Sequence, residues 1–280
     1  MCDEPLVPLP VERWPELKDV FKRDWPRGIC GYGVLDIEEL MINNGADYGF
    51  KAYVPYGDMC NGLVGINVKG NFFELIIQPT KEVTIGLVNA LKHTKLINWK
   101  SPIELAFSRI DVADTFKSIL HEKRLFIKGI TTTETFYIED DAPYFDVELP
   151  PELTFEMMTD KHAYISNDTW PHKYSGSIWY YQLLIKAKLG YGLFKNGELV
   201  AWCYVKEMGA LGHLYTLEAH RRKGYGELVL KLISNTLRRE GRVVFAFCVA
   251  GNVAARNLYS KLGFTSSGDL KWCHTKPIVE

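Results

Sequence analysis

The chain has 280 residues, of which 47% are hydrophobic and 24% charged, and its formal charge is −1. That is length for two domains of ordinary size, with apolar material enough for packed cores. The balanced charge excludes the broad basic surface of a nucleic-acid or membrane-surface binder, and no apolar run nears the roughly 18 to 20 residues of a membrane-spanning helix. The start, MCDEPLVPLP, is acidic and proline-bearing and has no signal or transit pattern. A soluble, cytoplasmic protein is expected, with a mitochondrial location left open. Cys2, Cys30, Cys60, Cys203, Cys248 and Cys273 form no CxxC, and the seven histidines form no HExxH. No metal site is expected, and Cys203 and Cys248, in apolar strand-like runs, read as reduced, buried thiols.

Two stretches share one order of elements. The first covers about 50–138. It opens on a hairpin, 62-GLVGINVKGNFFELIIQ-78, with Lys69, Gly70 and Asn71 at the turn. A helix follows Pro79, marked by Val83, Leu87 and Leu91 at four-residue steps with Ala90 beside them. Then come a strand (IELAFSRI), a helix over 112–121 and a strand-like run, FIKGITTTETFYIE. The acidic, proline-rich 139-EDDAPYFDVELPPE-152 reads as a linker. Residues 160–190 read as helix, loop, helix, interrupted by Pro171 and Gly176. The aromatics Trp170, Tyr174, Trp179, Tyr180 and Tyr181 there either pack the core or line a pocket. The second stretch covers about 190–280. It has a hairpin at Asn196-Gly197, strands through Val205 and Leu217, and a helix over 224–240. The strand VVFAFCV, a helix over 252–262 and a closing strand pair complete it.

The sharpest signal is 221-RRKGYG-226, between the extended run 211–217 and a Leu- and Val-rich helix. Glycines at such a turn let backbone N–H groups approach a ligand closely. The first N–H groups of a helix have no partner within it, and with the helix dipole they form a site for a pyrophosphate. Arg221, Arg222 and Lys223 add positive charge at the same place. A second motif, 252-NVAARNLYSKLGF-264, follows the next strand. Asn252 can cap its helix, and Tyr259, seven residues on, shares a face with it.

Together the two motifs resemble the GNAT acyltransferase superfamily. Arg221, Gly224 and Gly226 match its [QR]xxGx[GA]. Asn252, Ala255, Leu258, Tyr259, Lys261, Gly263 and Phe264 match its second motif. The resemblance covers about 120 residues, and Glu218 stands where the superfamily usually has proline. It implies an α/β fold with a mixed, splayed sheet, with acyl-CoA (acetyl-CoA or longer) as co-substrate in the V-shaped opening. Backbone groups of Leu214, Tyr215, Thr216 and Leu217 would hold the pantetheine arm. Arg221, Arg222, Lys223, Gly224, Tyr225, Gly226 and Asn252 complete the expected coenzyme site. Tyr259 would protonate the departing thiolate in a ternary complex.

A fainter resemblance is to the glycine N-acyltransferase family, carried by 95-KLINWKSP-102 and by Trp272, Cys273 and Pro277. It implies a small amine such as glycine as acceptor. The first half has Gln78-Pro79-Thr80-Lys81 where an RxxGxG would stand. The expected layout is therefore a degenerate GNAT-like domain over 1–145 and an active GNAT domain over 146–280. The glutamate base of that family falls at Ala210 here, so Glu207 and His213 are the candidate bases. The alternatives are a protein or peptide N-acetyltransferase and an acyl-CoA-binding protein with impaired catalysis.

Overall fold

The computed structural model describes residues 4–69 and 72–278, so Gly70 and Asn71 of the first hairpin turn, and Cys2, lie outside the described residues. The first half runs β1 (Leu6–Pro8), α1 (Trp14–Lys22), α2 (Ile29–Asn43), β2 (Lys51–Pro55), β3 (Leu63–Lys69) and β4 (Phe72–Gln78). It continues through α3 (Ile85–His93), β5 (Ile103–Arg109), α4 (Ile110–Glu122) and β6 (Leu125–Tyr137). The second half repeats the order: β7 (Leu153–Met157), α5 (Ala163–Asp168), α6 (Ile178–Lys186), β8 (Gly190–Lys195), β9 (Glu198–Val205) and β10 (Leu211–Thr216). It ends with α7 (Tyr225–Arg239), β11 (Phe245–Val249), α8 (Val253–Lys261) and β12 (Thr265–Pro277).

Periodicity accounts for most of these elements. In α1, Trp14, Leu17 and Phe21 recur on one face and are buried, and a proline opens the helix where its missing N–H costs nothing. In α7, Val229, Leu230, Ile233 and Leu237 turn inward onto β8, β9 and β10. Burying each of these side chains contributes about 2 kcal/mol. Arg238 and Arg239 close that helix in its last turn, where cations suit the dipole. The expected closing strand pair is one 13-residue strand, β12. It needs no turn, because both its edges find partners in the first half.

All strands form one 12-stranded sheet in the order β1-β2-β3-β4-β5-β12-β6-β11-β10-β9-β8-β7. The order is a palindrome: each half supplies the same series of strands, read inward from its own edge. The last strand of each half lies beyond the midline. β12 pairs with β5 of the first half, and β6 pairs with β11 of the second. At the centre β6 and β12 run antiparallel from Thr265↔Tyr137 to Pro277↔Leu125. The linker is strapped to α7. The buried Asn235 side chain accepts from Phe145 N at 3.0 Å and donates to Phe145 O at 2.8 Å. Arg238 donates to the carbonyls of Asp140 and Pro143.

The halves also meet through α2. A Cβ on Gly33 would lie 2.7 Å from the Phe245 ring of β11, so only glycine admits that approach. Among the described residues no helix is long and apolar enough to cross a membrane. Cys203 and Cys248 are free and buried as expected, whereas Cys60 is free and exposed.

Candidate active site

The two halves differ at one equivalent place, the parallel pair that precedes each sheet midline. In the first half β4 and β5 stay zipped from Phe73↔Ile103 to Ile76↔Ala106. In the second half β10 and β11 share one pair, Leu211↔Ala246, and then diverge. The divergence has a local cause. A bulge in β10 shifts its register on β9 from Gly212↔Tyr204 to Tyr215↔Trp202, and a bulge bends its strand and releases backbone groups from the ladder. His213, within the bulge, has φ +52°. Leu214, Tyr215 and Thr216 therefore line an opening toward β11. Leu217 differs from them: its N–H bonds Val200 O at 3.0 Å and its carbonyl accepts from His220 N at 2.8 Å.

The opening leads to the glycine turn. Gly224 has φ +80° and caps α7 without any side-chain acceptor, leaving the N–H groups of Tyr225, Gly226 and Glu227 unclaimed at the helix start. A Cβ on Gly226 would meet nothing nearer than Thr216 Oγ1 at 3.5 Å. Packing within the chain therefore does not require glycine there, and the space beside the helix start is open. Arg221 folds back on β10, donating to Thr216 O and Tyr215 OH at 3.2 Å each. Lys223 donates to Ala219 O at 3.1 Å, and Arg222 is exposed on the turn. A cavity of about 360 Å³ beside Gly224 is walled by Glu227, Leu228, Lys231 and linker residues 146–148. In the first half the start of the equivalent α3 is capped, Thr84 Oγ1 accepting from Leu87 N at 3.0 Å.

Tyr259, on α8, is buried between Phe136 and Phe264, with ring centroids at 5.4 and 5.3 Å. Burial pushes its phenol well up, with the Cys203 and Cys248 thiols as its charged-state neighbours, so it stays protonated. Those thiols sit on β9 and β11, the strands either side of β10. Asn252 caps α8, its Oδ1 accepting from Ala255 N at 3.1 Å.

Both base candidates are held in tight surroundings. His213 accepts or shares a hydrogen bond between Nε2 and Thr169 Oγ1 at 3.2 Å. Burial, and then Lys206, push its pKa down to about 3, too weak a base to deprotonate an amine near neutrality. Glu207 is buried, paired with Lys69 and bonded by Tyr180 OH. Burial alone would raise its pKa, but Lys69 and Lys206 outweigh it and hold the carboxyl below its ordinary range. It belongs to a polar chain that crosses between the halves: Glu38 to Tyr48 (2.5 Å), Tyr48 to Asn67 (2.9 Å), Asn67 to Glu74 (3.0 Å), then Lys69 and Glu207. The N-terminal half thus reaches the site through Lys69, a residue the sequence marks only as a hairpin turn.

Of the aromatics, Trp170, Tyr180 and Tyr181 converge on Lys206 Nζ, at 5.3, 4.3 and 5.3 Å from their centroids. Tyr174 and Trp179 stand further out and bond each other at 3.1 Å. Lys206 Nζ, His213 Nδ1, Tyr181 OH and Trp202 Nε1 are all sheltered and lack a hydrogen-bond partner among the described residues. The Tyr181 and Trp202 rings lie 5.2 and 5.9 Å from that of His213. Sheltered polar atoms without partners are rare in folded proteins. Their clustering beside the bulge marks this face as polar and receptive.

Residues 190–273 match the family described as FR47-like protein. No curated protein matches the chain. Among solved structures, the X-ray structure of a Drosophila protein superposes with a TM-score of 0.82 at 21% identity, covering 98% of this chain and 99% of that one. A tandem GNAT protein from the clavulanic acid biosynthesis pathway, solved without AcCoA, gives 0.58 at 14% identity, covering 97% and 98%. A GCN5-related N-acetyltransferase from Sphaerobacter thermophilus gives 0.53 at 12% identity, covering 98% and 96%. The fold is that of the GNAT acetyltransferases, and it occurs here in tandem.

Proposed function

We propose that the chain is an acyl-CoA-dependent N-acyltransferase. Its second half binds the thioester and passes the acyl group to a small amine, glycine or a compound like it. The observation that carries this reading is the asymmetry of the tandem. One half has an open strand pair and an uncapped, basic helix start, while the other has the same pair zipped and its helix capped. An opening of this kind, fed by three unclaimed N–H groups, fits a thioester carried on a pyrophosphate. Acetyl-CoA and longer acyl-CoAs are the co-substrates expected, in line with the FR47-like match over the same half.

In this reading the turn from Arg221 to Gly226 grips the pyrophosphate, and the backbone of Leu214, Tyr215 and Thr216 aligns the pantetheine arm. An N–H freed by the bulge polarises the thioester carbonyl. Tyr259 supplies a proton to the departing thiolate, and positioning provides on the order of 7 to 11 kcal/mol in favourable cases. A small acceptor is favoured over a peptide because Lys69 of the first half closes onto Glu207 beside the aromatic wall. The first half, on this account, is a degenerate domain that braces and caps its neighbour.

The reading is tested by isothermal titration with acetyl-, benzoyl- and longer acyl-CoA, followed by thiol release with a panel of amines. Saturable binding by the wild type, lost when Gly224 and Gly226 are both replaced by valine in a folded variant, is the expected result. A wild type that binds no thioester refutes it.

A further inference from the structure

Lys206 has no role in the reading above, yet its surroundings are unusual. Its backbone is fixed in the turn between β9 and β10, where Lys206 N bonds Ala210 O at 2.9 Å and Gly209 N bonds Lys206 O at 2.8 Å. Its side chain lies along β10 at the foot of the bulge: Cγ, Cδ and Cε are 2.9, 3.3 and 3.7 Å from where a Gly212 Cβ would stand. The glycine thus makes room for the lysine two residues before the backbone that lines the opening. Nζ ends among three ring faces, sheltered and without a hydrogen-bond acceptor. The other sheltered lysine of this region, Lys69, holds two carboxylates.

An ammonium in that position is stabilised by the rings but deprived of water and of any acceptor. The groups that face it are Glu207, Lys69, Cys203, His213 and the phenols of Tyr180 and Tyr181. Glu207 is engaged by Lys69 and Tyr180, His213 is neutral, and the phenols and thiol are uncharged near neutral pH. Burial is the largest influence and lowers the pKa of the amine. Glu207 opposes it and Lys69 adds to it, and the result is about 8. Buried lysines with depressed pKa serve as bases in other settings.

We propose that Lys206 is the general base of the acyl transfer, taking the proton that an acceptor ammonium must lose before its nitrogen can attack. The inference rests on the acyltransferase reading. The neutral Nζ removes one proton from the acceptor ammonium. The freed nitrogen then forms a bond to the thioester carbon, and the carbon–sulfur bond breaks with its electron pair on sulfur. Tyr259 protonates that sulfur and is reprotonated by the second proton of the attacking nitrogen, and Lys206 gives up its own proton to the water that enters as the products leave.

Two measurements on the full chain decide the matter. In the first, ¹⁵N-lysine NMR follows the Lys206 side chain, assigned by its disappearance in Lys206→Met, through a pH titration without substrate. A midpoint near 8 is expected, against about 10.4 for an ordinary lysine, and a midpoint at or above 10 overturns the proposal. In the second, kcat is measured against pH for wild type, Lys206→Met and Lys206→Arg, each checked for folding by circular dichroism. The wild type should lose activity below pH 8 along a one-proton limb. Both variants should be slower by about 10²-fold or more, and their activity should keep rising past pH 8 with the acceptor's own ionisation instead of levelling there. Arginine keeps the charge and the ring contacts but cannot give up its proton. An active Lys206→Arg with the limb unchanged would show a structural cation and overturn the base alone. A wild type that turns over no thioester overturns the transfer reading and the base together.

Discussion

Lys69→Met should expose how much of the molecule depends on one cation between two carboxylates. Lys69 Nζ lies 2.7 Å from Glu74 Oε2 and contacts Glu207, and the side-chain exposures of the three are 14%, 11% and 4%. Removing one partner of a buried pair costs about 3 to 5 kcal/mol, because the remaining charge stays desolvated. Asn67 and Tyr180 still donate to the carboxylates and Lys206 stays nearby, so about 3 kcal/mol at pH 7 is expected. The pH dependence carries the sharper signature. In the wild type Glu207 is held below its ordinary value of 4.5, so its contribution is present above that pH and is lost as the pH falls through the lowered value. In the variant only Lys206 and the Tyr180 hydroxyl oppose burial, so the carboxyl titrates higher than in the wild type. Its penalty is then greatest at high pH and shrinks as the group takes up a proton. The stability gap between the two proteins should therefore narrow from pH 8 to pH 5, read by urea unfolding with tryptophan fluorescence. A gap below about 1 kcal/mol, or one that stays constant over that range, would refute the assignment of Lys69 as the counter-charge. Lys69→Met/Glu207→Gln should recover part of the loss, since a neutral amide needs no cation.

Tyr259→Phe should lower kcat by about 10²-fold or more while leaving acyl-CoA affinity within about twofold, as a lost general acid would. Equal turnover in stopped assays of thiol release would remove that role. His213→Gln should leave the pH dependence of kcat between 6 and 8 unchanged, because the ring is already neutral there with its pKa pushed down to about 3; a displaced midpoint would mean that the imidazole titrates during turnover. Asn235→Ala removes both bonds to Phe145 and should cost about 1 to 3 kcal/mol. Limited proteolysis should then cut faster within 139–152, and an unchanged cleavage rate would show that Arg238 alone holds the strap.

Much of the second half was legible because its signals are local. RRKGYG and the Asn252 cap announce a turn and a helix start by backbone chemistry that needs no distant partner. The period-two and period-four patterns of 62–78 and of Val83, Leu87 and Leu91 work in the same way. The N-terminal helices were not read. In α2 the run from Ile29 to Leu35 is buried without a break, so its first two turns show no polar face to give a period. The exchange of β6 and β12 was equally hidden, since pairing of strands so far apart in sequence leaves no mark on either. The base candidates show the limit most clearly. Glu207 and His213 have the right chemistry by type, but Lys69 from the other half and the depth of the bulge decide what each can do. Lys206 was overlooked because a lysine at the end of a strand looks like an ordinary exposed cation until Gly212 and three rings are seen around it.

The crossed last strands make the molecule resemble two copies of a shorter chain that have traded their final segment and then been joined. A protease nick in the linker would therefore yield two fragments that stay together through the β6–β12 ladder, as a heterodimer. Expressing either half alone would be a different matter. Residues 146–280 would lack the strand that edges β11, and β12 would protrude without the β5 and β6 edges that it satisfies. Such a fragment presents long unpaired edges, the form in which sheets recruit one another and aggregate. The second half, for all its motifs, is not a separable module.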